Sequence, residues 1–298
     1  MIKFVFVILH YITIEDTKEC VESIKKNINY DNYEIVIVDN LSPNNTGRDI
    51  QSLYRNEEKV HIILNEENLG FAKGNNIGFK YAKEVLKADF IGLINNDTVI
   101  KQKEFITKII NKFKEESYYV LGPDIISLTD KGHQNPYKSQ IYTKKKLLKD
   151  IVLINMYLVL NYMRIERYTM SLRKKFKKES ITFNYKESIV NKGVLHGSAL
   201  IFSPLYINKY SKICDKTFMY GEEDILFYVC NKLRLKYIYY PDVEIFHKEA
   251  SSTKVDTDSK SYKQLRFFYK NKIKACYILL GIMRNEKKLD SILSYENR

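Results

Sequence analysis

The fold class is decided by two apolar runs near the N-terminus, Lys3-Phe4-Val5-Phe6-Val7-Ile8-Leu9 and Glu34-Ile35-Val36-Ile37-Val38-Asp39. Unbroken apolar runs rich in β-branched side chains are typical of parallel strands covered on both faces. Between these runs, apolar residues recur at helical spacing. The alternation continues with strands predicted at Val60–Leu64 and Phe90–Ile94 and helices predicted at Ala72–Leu86 and Lys101–Glu116. These βα units predict a doubly wound, mostly parallel α/β sheet with ligands at the carboxyl ends of its strands.

The later half of the chain changes character. Residues 119–191 look irregular and basic, after which Val194–Phe202 and Tyr237–Tyr240 are predicted as strands and Glu222–Leu233 as a helix. A further helical pattern runs through residues 261–281. We expect one α/β domain over residues 1–253, with a basic helical insertion at about 138–191, and a C-terminal helical tail over 254–298.

The bulk composition is that of a globular protein, with 45% hydrophobic and 29% charged residues in 298. Of the net charge of +13, most lies between Lys144 and Lys178, where eleven Lys/Arg face two acidic residues. The four cysteines form no C-x-x-C pair, which favours reduced thiols in the cytoplasm. The first apolar run ends at His10-Tyr11 with no cleavage site, so we expect a buried strand and not a signal peptide.

Three polar clusters follow the predicted strands. Asp39 closes the second strand, where a carboxylate can accept an N–H from a nucleobase. In Asn68–Asn76, Gly70 and Gly74 allow close backbone approach, and a helix starting there would offer free N–H groups to an anion. The third cluster, Asn95-Asn96-Asp97, offers oxygen ligands to a hard divalent ion. Each cluster is equally an ordinary turn taken alone, but all three are expected at one edge of one sheet.

Two further polar features lie downstream. Glu222-Glu223-Asp224 opens a predicted helix, where carboxylates complement the helix dipole or, alternatively, provide a general base whose pKa is raised by mutual repulsion. His247 follows the last strand and is either a structural histidine or a nitrogen ligand to a metal.

Taken together, these motifs resemble glycosyltransferase family 2, inverting enzymes of the GT-A fold, and especially rhamnosyltransferase-like bacterial enzymes of surface polysaccharide synthesis. The residues that carry the resemblance occur in the family's order over roughly residues 1–253: Val7–Tyr11, Ile37–Ser42, Asn68–Gly78, Leu93–Thr98, Gly197–Ala199, Met219–Asp224 and Pro241–His247.

The resemblance implies a nucleotide-diphosphate sugar as donor, a glycan or lipid-linked acceptor, and manganese or magnesium as the metal cofactor. It implies that Asp39 recognises the base and that Asp97 ligates the metal with His247 nearby. Asn at the first position of the D-x-D motif departs from the family pattern and removes one charge. Further donor contacts are implied for Tyr11, Asn68, Gly70, Gly74, Asn75, Asn95 and Asn96, and the general base is implied at Glu223, with Glu222 and Asp224 beside it.

The basic segment Lys144–Lys178 departs from the family core. Its apolar stretch Ile151–Leu160 is interrupted only by Asn155 and is flanked by basic clusters, a pattern that suits a helix on an anionic membrane surface. A helical flap over the acceptor site is the alternative. We therefore expect a cytoplasmic protein, peripheral at the inner face of the cytoplasmic membrane.

Two other functions fit less well. A sugar nucleotidyltransferase is expected to carry a Gly-rich basic loop after its first strand, where this chain has His10-Tyr11-Ile12-Thr13. A nucleic-acid-binding protein is suggested by the pI of about 9.2, but the charge is confined to one segment and the acidic clusters would repel phosphates. No nucleic acid partner is therefore expected.

Overall fold

The computed structural model describes residues 1–165, 184–248 and 261–295. Its first half contains four parallel strands in the order β3-β2-β1-β4. Their bounds are β1 Phe4–His10, β2 Tyr33–Asp39, β3 Val60–Leu64 and β4 Phe90–Asn95, followed by the short β5 Thr98–Val99. The helices are α1 Ile14–Asn27, α2 Thr46–Leu53, α3 Gly70–Glu84 and α4 Phe105–Glu115. The predicted succession of βα units is confirmed.

Strand register brings the polar strand ends to one edge. His10 pairs with Asp39, Asp39 with Leu64, and Leu9 with Asn95. Because these four strands are parallel, everything that follows them emerges on the same side of the sheet. The carboxyl edge of β1 to β4, where the sequence motifs predict that the donor binds, is called the donor edge below.

The second half adds antiparallel and parallel strands to the same sheet. The full order is β3-β2-β1-β4-β8-β6-β9-β5, with β8 antiparallel to β4 and β6, and β7 paired to β9. The bounds are β6 Val120–Ser127, α5 Lys144–Tyr162, β7 Ile189–Val190, β8 Ala199–Phe202, α6 Pro204–Lys209, α7 Glu222–Lys232, β9 Tyr237–His247, α8 Tyr262–Arg284 and α9 Leu289–Ile292.

The expectation of irregular structure throughout residues 119–191 was wrong. Gly122 and Pro123 obscure the strand pattern of β6, which is nevertheless buried because it runs beside β9. The strand predicted to end at Tyr240 continues to His247, passing a register shift opposite Pro123 and Asp124. The insertion contains the expected helix, α5. Its basic residues from Arg167 to Lys178 lie outside the described residues.

The sheet is covered on both faces. Phe4, Phe6 and Ile8 pack with α1, α2 and α4 on one face, whereas Val5 and Val7 pack with α3, α6 and α7 on the other. This alternation is the consequence of strand geometry in a sheet with two apolar faces. In the described part of the chain, no helix has the length and apolarity needed to cross a membrane.

The helices α5 and α8 form an antiparallel pair at the side of this domain. Tyr157 stacks on Tyr269, Arg266 Nε donates to Asn161 Oδ1 at 3.0 Å, and Tyr262 donates to the Arg164 carbonyl at 2.9 Å. Buried Leu265 belongs to the same small cluster. The C-terminal helix therefore packs against the insertion.

Candidate active site

Asp39 lies at the donor edge with its carboxylate nearly buried. Its Oδ1 accepts a hydrogen bond from the Ser42 hydroxyl at 2.6 Å, and a Cβ on Gly47 would collide with the carboxylate. His10 lies 3.9 Å away and is held by Thr17 and Thr46. Burial lowers the pKa of His10 even though Asp39 opposes the shift, so a neutral ring borders this carboxylate.

The glycine loop after β3 is fixed by amide side chains. Asn40 accepts from the Leu69 N–H at 3.0 Å and donates to Asn68 Oδ1 at 2.9 Å. Gly70 has φ +78°, and a Cβ there would collide with the Phe218 carbonyl. That carbonyl accepts from the Phe71 N–H at 2.7 Å, so the first turn of α3 is tied to the segment that precedes α7.

These hydrogen bonds bear on the predicted role of the loop, which was to offer free N–H groups to an anion. The N–H groups of Gly70 and Phe71 are already used, by Asn68 Oδ1 and the Phe218 carbonyl. Gly74 lets α3 approach Leu9 of β1. Asn75 donates back to the Phe71 carbonyl within the helix. Gly74 therefore allows α3 to pack against β1, and Gly70 allows the close approach of the Phe218 carbonyl.

At the end of β4 the three predicted residues face different partners. Asn95 lines a small cavity shared with Asn75, Gly197 and Glu223. The amide nitrogen of Asn96 instead donates to Thr13 and Thr17, at 2.9 and 3.0 Å, and so ties β4 to the start of α1. Tyr11 is on the loop between β1 and α1 and is exposed.

Asp97 and His247, called the metal pair below, lie together because β5 pairs antiparallel with the end of β9. His247 Nε2 is 3.2 Å from Asp97 Oδ1, and both side chains are buried. The other ring nitrogen, Nδ1, lies 2.8 Å from Gln134 Oε1. With Nδ1 donating to that amide oxygen, Nε2 presents a lone pair, and it has no hydrogen-bond partner among the residues that the structure describes.

The metal pair fits a divalent cation. Two electron-rich atoms that face each other in a buried place are what a cation between them would stabilise. Neighbouring ligands at about 2.1 Å on an octahedral ion are themselves about 3 Å apart, close to the observed separation. Among the described residues no third His, Cys, Asp or Glu completes the group. Water and the donor's phosphates would have to supply the remaining ligands.

Glu222 and Glu223 open α7 and differ in exposure. Glu222 is buried, and in the described part of the chain its Oε1 has no hydrogen-bond partner. Burial and the charge of Glu223 raise the pKa of Glu222 to about 7. Burial also raises the pKa of Glu223, whose side chain is the more exposed of the two, and both carboxylates line the cavity beside Asn95. A Cβ on Gly197 would collide with Glu223 Oε1, so the glycine lets this carboxylate lie against the backbone of residue 197.

Asp224 has a different environment. Its carboxylate is buried between Lys138, with which it forms an ion pair, and Lys272 Nζ at 2.9 Å. Burial alone would raise the pKa of Asp224, but the charges of Lys272 and Lys138 hold it below its usual value. An ionised carboxylate already bound by two ammonium groups is poorly placed to take a proton. Glu222, Glu223 and Asp224 are called the acid cluster below.

Three consecutive residues connect the metal pair to the acid cluster. The His196 ring is 5.8 Å from that of His247, Gly197 contacts Glu223, and the Ser198 carbonyl accepts from the Asn95 N–H at 2.9 Å. Burial, and then the neighbouring His247, lower the pKa of His196 to about 3, so its ring is neutral. His247 of the predicted metal ligands and the predicted base Glu223 therefore both contact this three-residue segment.

A sequence model of the family described as "Glycosyl transferase family 2" matches residues 6–188, more than half of the chain. The chain belongs to glycosyltransferase family 2. Glycosyltransferase GlyG of Streptococcus pneumoniae serotype 4 is 28% identical over 104 residues, which are 35% of this chain and 33% of the relative. The dTDP-rhamnosyl transferase RfbF of Shigella flexneri is 34% identical over 105 residues, again 35% and 33%. These alignments span about a third of each relative.

Solved structures confirm the predicted GT-A-like α/β fold. Staphylococcus aureus TarS 1-349 in complex with UDP has a TM-score of 0.57 at 14% identity, over 98% of this chain and 70% of that one. The same protein in complex with UDP-GlcNAc has a TM-score of 0.56 at 15% identity over the same shares. At this identity the likeness shows the fold alone.

Several residues that surround the site of this family 2 chain were not predicted from its sequence. Three of them occur on the pentapeptide Gln134–Lys138 after β6, where Gln134 contacts His247, Asn135 Oδ1 accepts from the His196 N–H at 3.2 Å, and Lys138 pairs with Asp224. Lys272 comes from the predicted tail. No periodicity marks them. The only available signal was a polar, proline-containing stretch between a strand and a helix.

Proposed function

We propose that the protein transfers a sugar from a nucleotide-diphosphate donor to a hydroxyl of a glycan or lipid-linked acceptor, with inversion at the anomeric carbon. The observation that carries the proposal is the connection through residues 196–198 of the metal pair to a carboxylate with a raised pKa. Direct displacement needs both parts, since one side must favour departure of the diphosphate and the other must take the acceptor's proton.

Within this proposal the residues have separate tasks. Asp39, held by Ser42 at the donor edge, recognises the nucleobase. Asp97 and His247 hold manganese or magnesium, which would neutralise the charge of the leaving diphosphate when bound. Glu223 takes the proton of the attacking hydroxyl because it is the more exposed of the two carboxylates that line the cavity, whereas Asp224 stays paired with its lysines.

The acceptor side is supported by an aromatic pair. Phe218 and Phe267 have ring centroids 6.3 Å apart and are 41% and 45% exposed beside the acid cluster. Exposed aromatic faces there suit a sugar ring or a lipid-linked sugar, because they offer apolar contact where polar groups already converge. The named relatives suggest which donors to try first: dTDP-rhamnose and UDP-GlcNAc.

The test is thermal stabilisation by a panel of nucleotide sugars, with and without Mn²⁺. At about a hundred times its dissociation constant a ligand adds about 2.7 kcal/mol, which raises the midpoint of a protein of this size by roughly 5 °C. We expect at least one donor to do so in a Mn²⁺-dependent way, and Asp97→Ala to abolish the effect.

Asp31→Ala is the matched control, since Asp31 is exposed on the loop before β2. It should respond to donor and Mn²⁺ as the native chain does. The proposal fails if no nucleotide sugar stabilises the protein, or if the effective one stabilises Asp97→Ala equally.

A further inference from the structure

An exposed apolar row runs along the outer side of α5. Leu148, Val152, Met156, Val159 and Met163 follow one another at steps of four, four, three and four residues, which places them on one face of a helix. Val152 is 71% exposed and Met163 is 61% exposed. Isolated exposed apolar residues are common, but a row about 22 Å long is not.

The polar residues around this row are positively charged. Lys145 and Lys149 lie at its N-terminal end on the same side of the helix, and both are exposed. The one acidic residue of α5, Asp150, is half-buried and accepts from the Tyr142 hydroxyl at 2.9 Å. An apolar face bordered by exposed lysines, on a helix whose one carboxylate is half-buried and bonded to a tyrosine, is the pattern of a helix lying in a lipid interface.

The neighbouring helix α8 repeats the charge pattern. It contains no Asp or Glu, and its exposed positions recur at helical spacing with basic and aromatic side chains: Lys263, Phe267, Lys270, Lys274, Tyr277 and Arg284. Because α8 packs antiparallel to α5, the pair offers a wide surface without an exposed carboxylate.

We propose that the outer surface of the α5–α8 pair docks onto an anionic lipid bilayer. The headgroups supply the negative charge that neither helix supplies, and the apolar row enters the boundary with the acyl chains. A second copy of the chain fits less well. A two-fold contact through α5 would bring lysines to an arginine-bearing helix end, and the described residues of α5 provide no exposed acid to meet them.

Docking in this way would place the acid cluster near the bilayer. Tyr220 packs on Phe268 of α8 with ring centroids 4.9 Å apart, and Lys272 of the same helix pairs with Asp224. The surface is nevertheless separate from the proposed donor and metal residues. Its test needs no nucleotide sugar, so its failure would leave the proposed function untouched.

The chain contains no tryptophan, so one introduced indole reports its own surroundings. In Val152→Trp, we expect fluorescence emission to shift to shorter wavelength with phosphatidylglycerol-containing vesicles and to stay unchanged with pure phosphatidylcholine. Val85→Trp, at an exposed position after α3, is the matched control and should show no shift. In flotation with the same vesicles, Lys145→Gln/Lys149→Gln should bind roughly thirtyfold more weakly.

Val152→Glu/Met156→Glu should lower vesicle binding at least tenfold while keeping the native circular dichroism spectrum. The proposal is overturned if the Val152→Trp emission is the same with and without anionic vesicles. This holds even if the protein floats with the vesicles, because binding through residues 166–183 alone would leave the indole in water. It is overturned too if Val85→Trp shifts equally. Dissociation of a dimer by the glutamate pair, without vesicle binding by the native chain, would assign the surface to a second copy.

Discussion

The side chains of the donor edge and those of the acid cluster are positioned by different kinds of interaction. At the donor edge, backbone register aligns Asp39 with His10, and the bonds that fix it come from nearby turns, such as that of Ser42. In the acid cluster, Asp224 depends on Lys138 and Lys272, 86 and 48 residues away in sequence. The first region is positioned by the fold itself, and the second by a few long-range ion pairs.

This difference has an energetic meaning. The position of a strand end is fixed by backbone pairing along the whole sheet. A single side-chain substitution there therefore displaces few other residues. A carboxylate buried between two ammonium groups is stable only while both partners remain, because an unpaired buried charge is costly. The proposed base, Glu223, therefore lies in the region whose stability is more sensitive to the loss of a single side chain.

The largest expected effect separates the two regions by function. Glu223→Gln keeps the shape of the cavity but removes the proton acceptor, so kcat should fall by roughly 10²–10⁴-fold. Stabilisation by donor and Mn²⁺ should remain, since the donor edge and the metal pair are unchanged. Glu58→Gln, at an exposed position, should leave both readouts as they are. Loss of donor stabilisation in Glu223→Gln would show that the two regions are not independent.

A smaller effect concerns the ion pairs. Lys272→Ala leaves the buried Asp224 carboxylate with Lys138 alone, and we expect the free energy of unfolding to fall by about 2–4 kcal/mol in urea titrations. Lys274→Ala, two residues along the same helix and exposed, should change it by less than about 0.5 kcal/mol. Equal losses in the two variants would mean that Asp224 does not depend on Lys272.

The same difference explains what the sequence could predict. The four parallel strands have local apolar patterns, and the ends of such strands must share an edge, so the placement of Asp39 and Asp97 at one edge followed from elementary geometry. Three successive carboxylates at a predicted helix start marked Glu222–Asp224 as a candidate site, and the resemblance to family 2 implied Glu223 as the base. The fold was predicted where each element carries its own signal.

The surroundings of the base were not predictable by those means. Lys138 and Lys272 are two of many lysines, and a buried lysine has the same sequence signature as a solvated one. Gln134 and His196 matter because β6, β8 and β9 bring distant segments together, and strand order beyond β4 depends on long-range pairing. Gly122 and Pro123 also hid β6. Such residues are found only once the chain path is known.

The smallest expected effect tests how the charges are distributed within the acid cluster. The pKa of Glu222 is raised from 4.5 to about 7, so the folded state disfavours its ionised form. The penalty is absent below about pH 4.5, grows as pH rises, and is complete above about pH 7. Glu222→Gln should therefore stabilise the metal-free protein by roughly 1–3 kcal/mol at pH 8 and by much less at pH 5. Asp224→Asn should do the opposite and destabilise at pH 8, because its lysines favour the ionised carboxylate and lower its pKa. Urea unfolding of both variants at the two pH values provides the measurement. If the two substitutions changed stability in the same direction at pH 8, the division of the cluster into a paired carboxylate and two raised ones would be wrong.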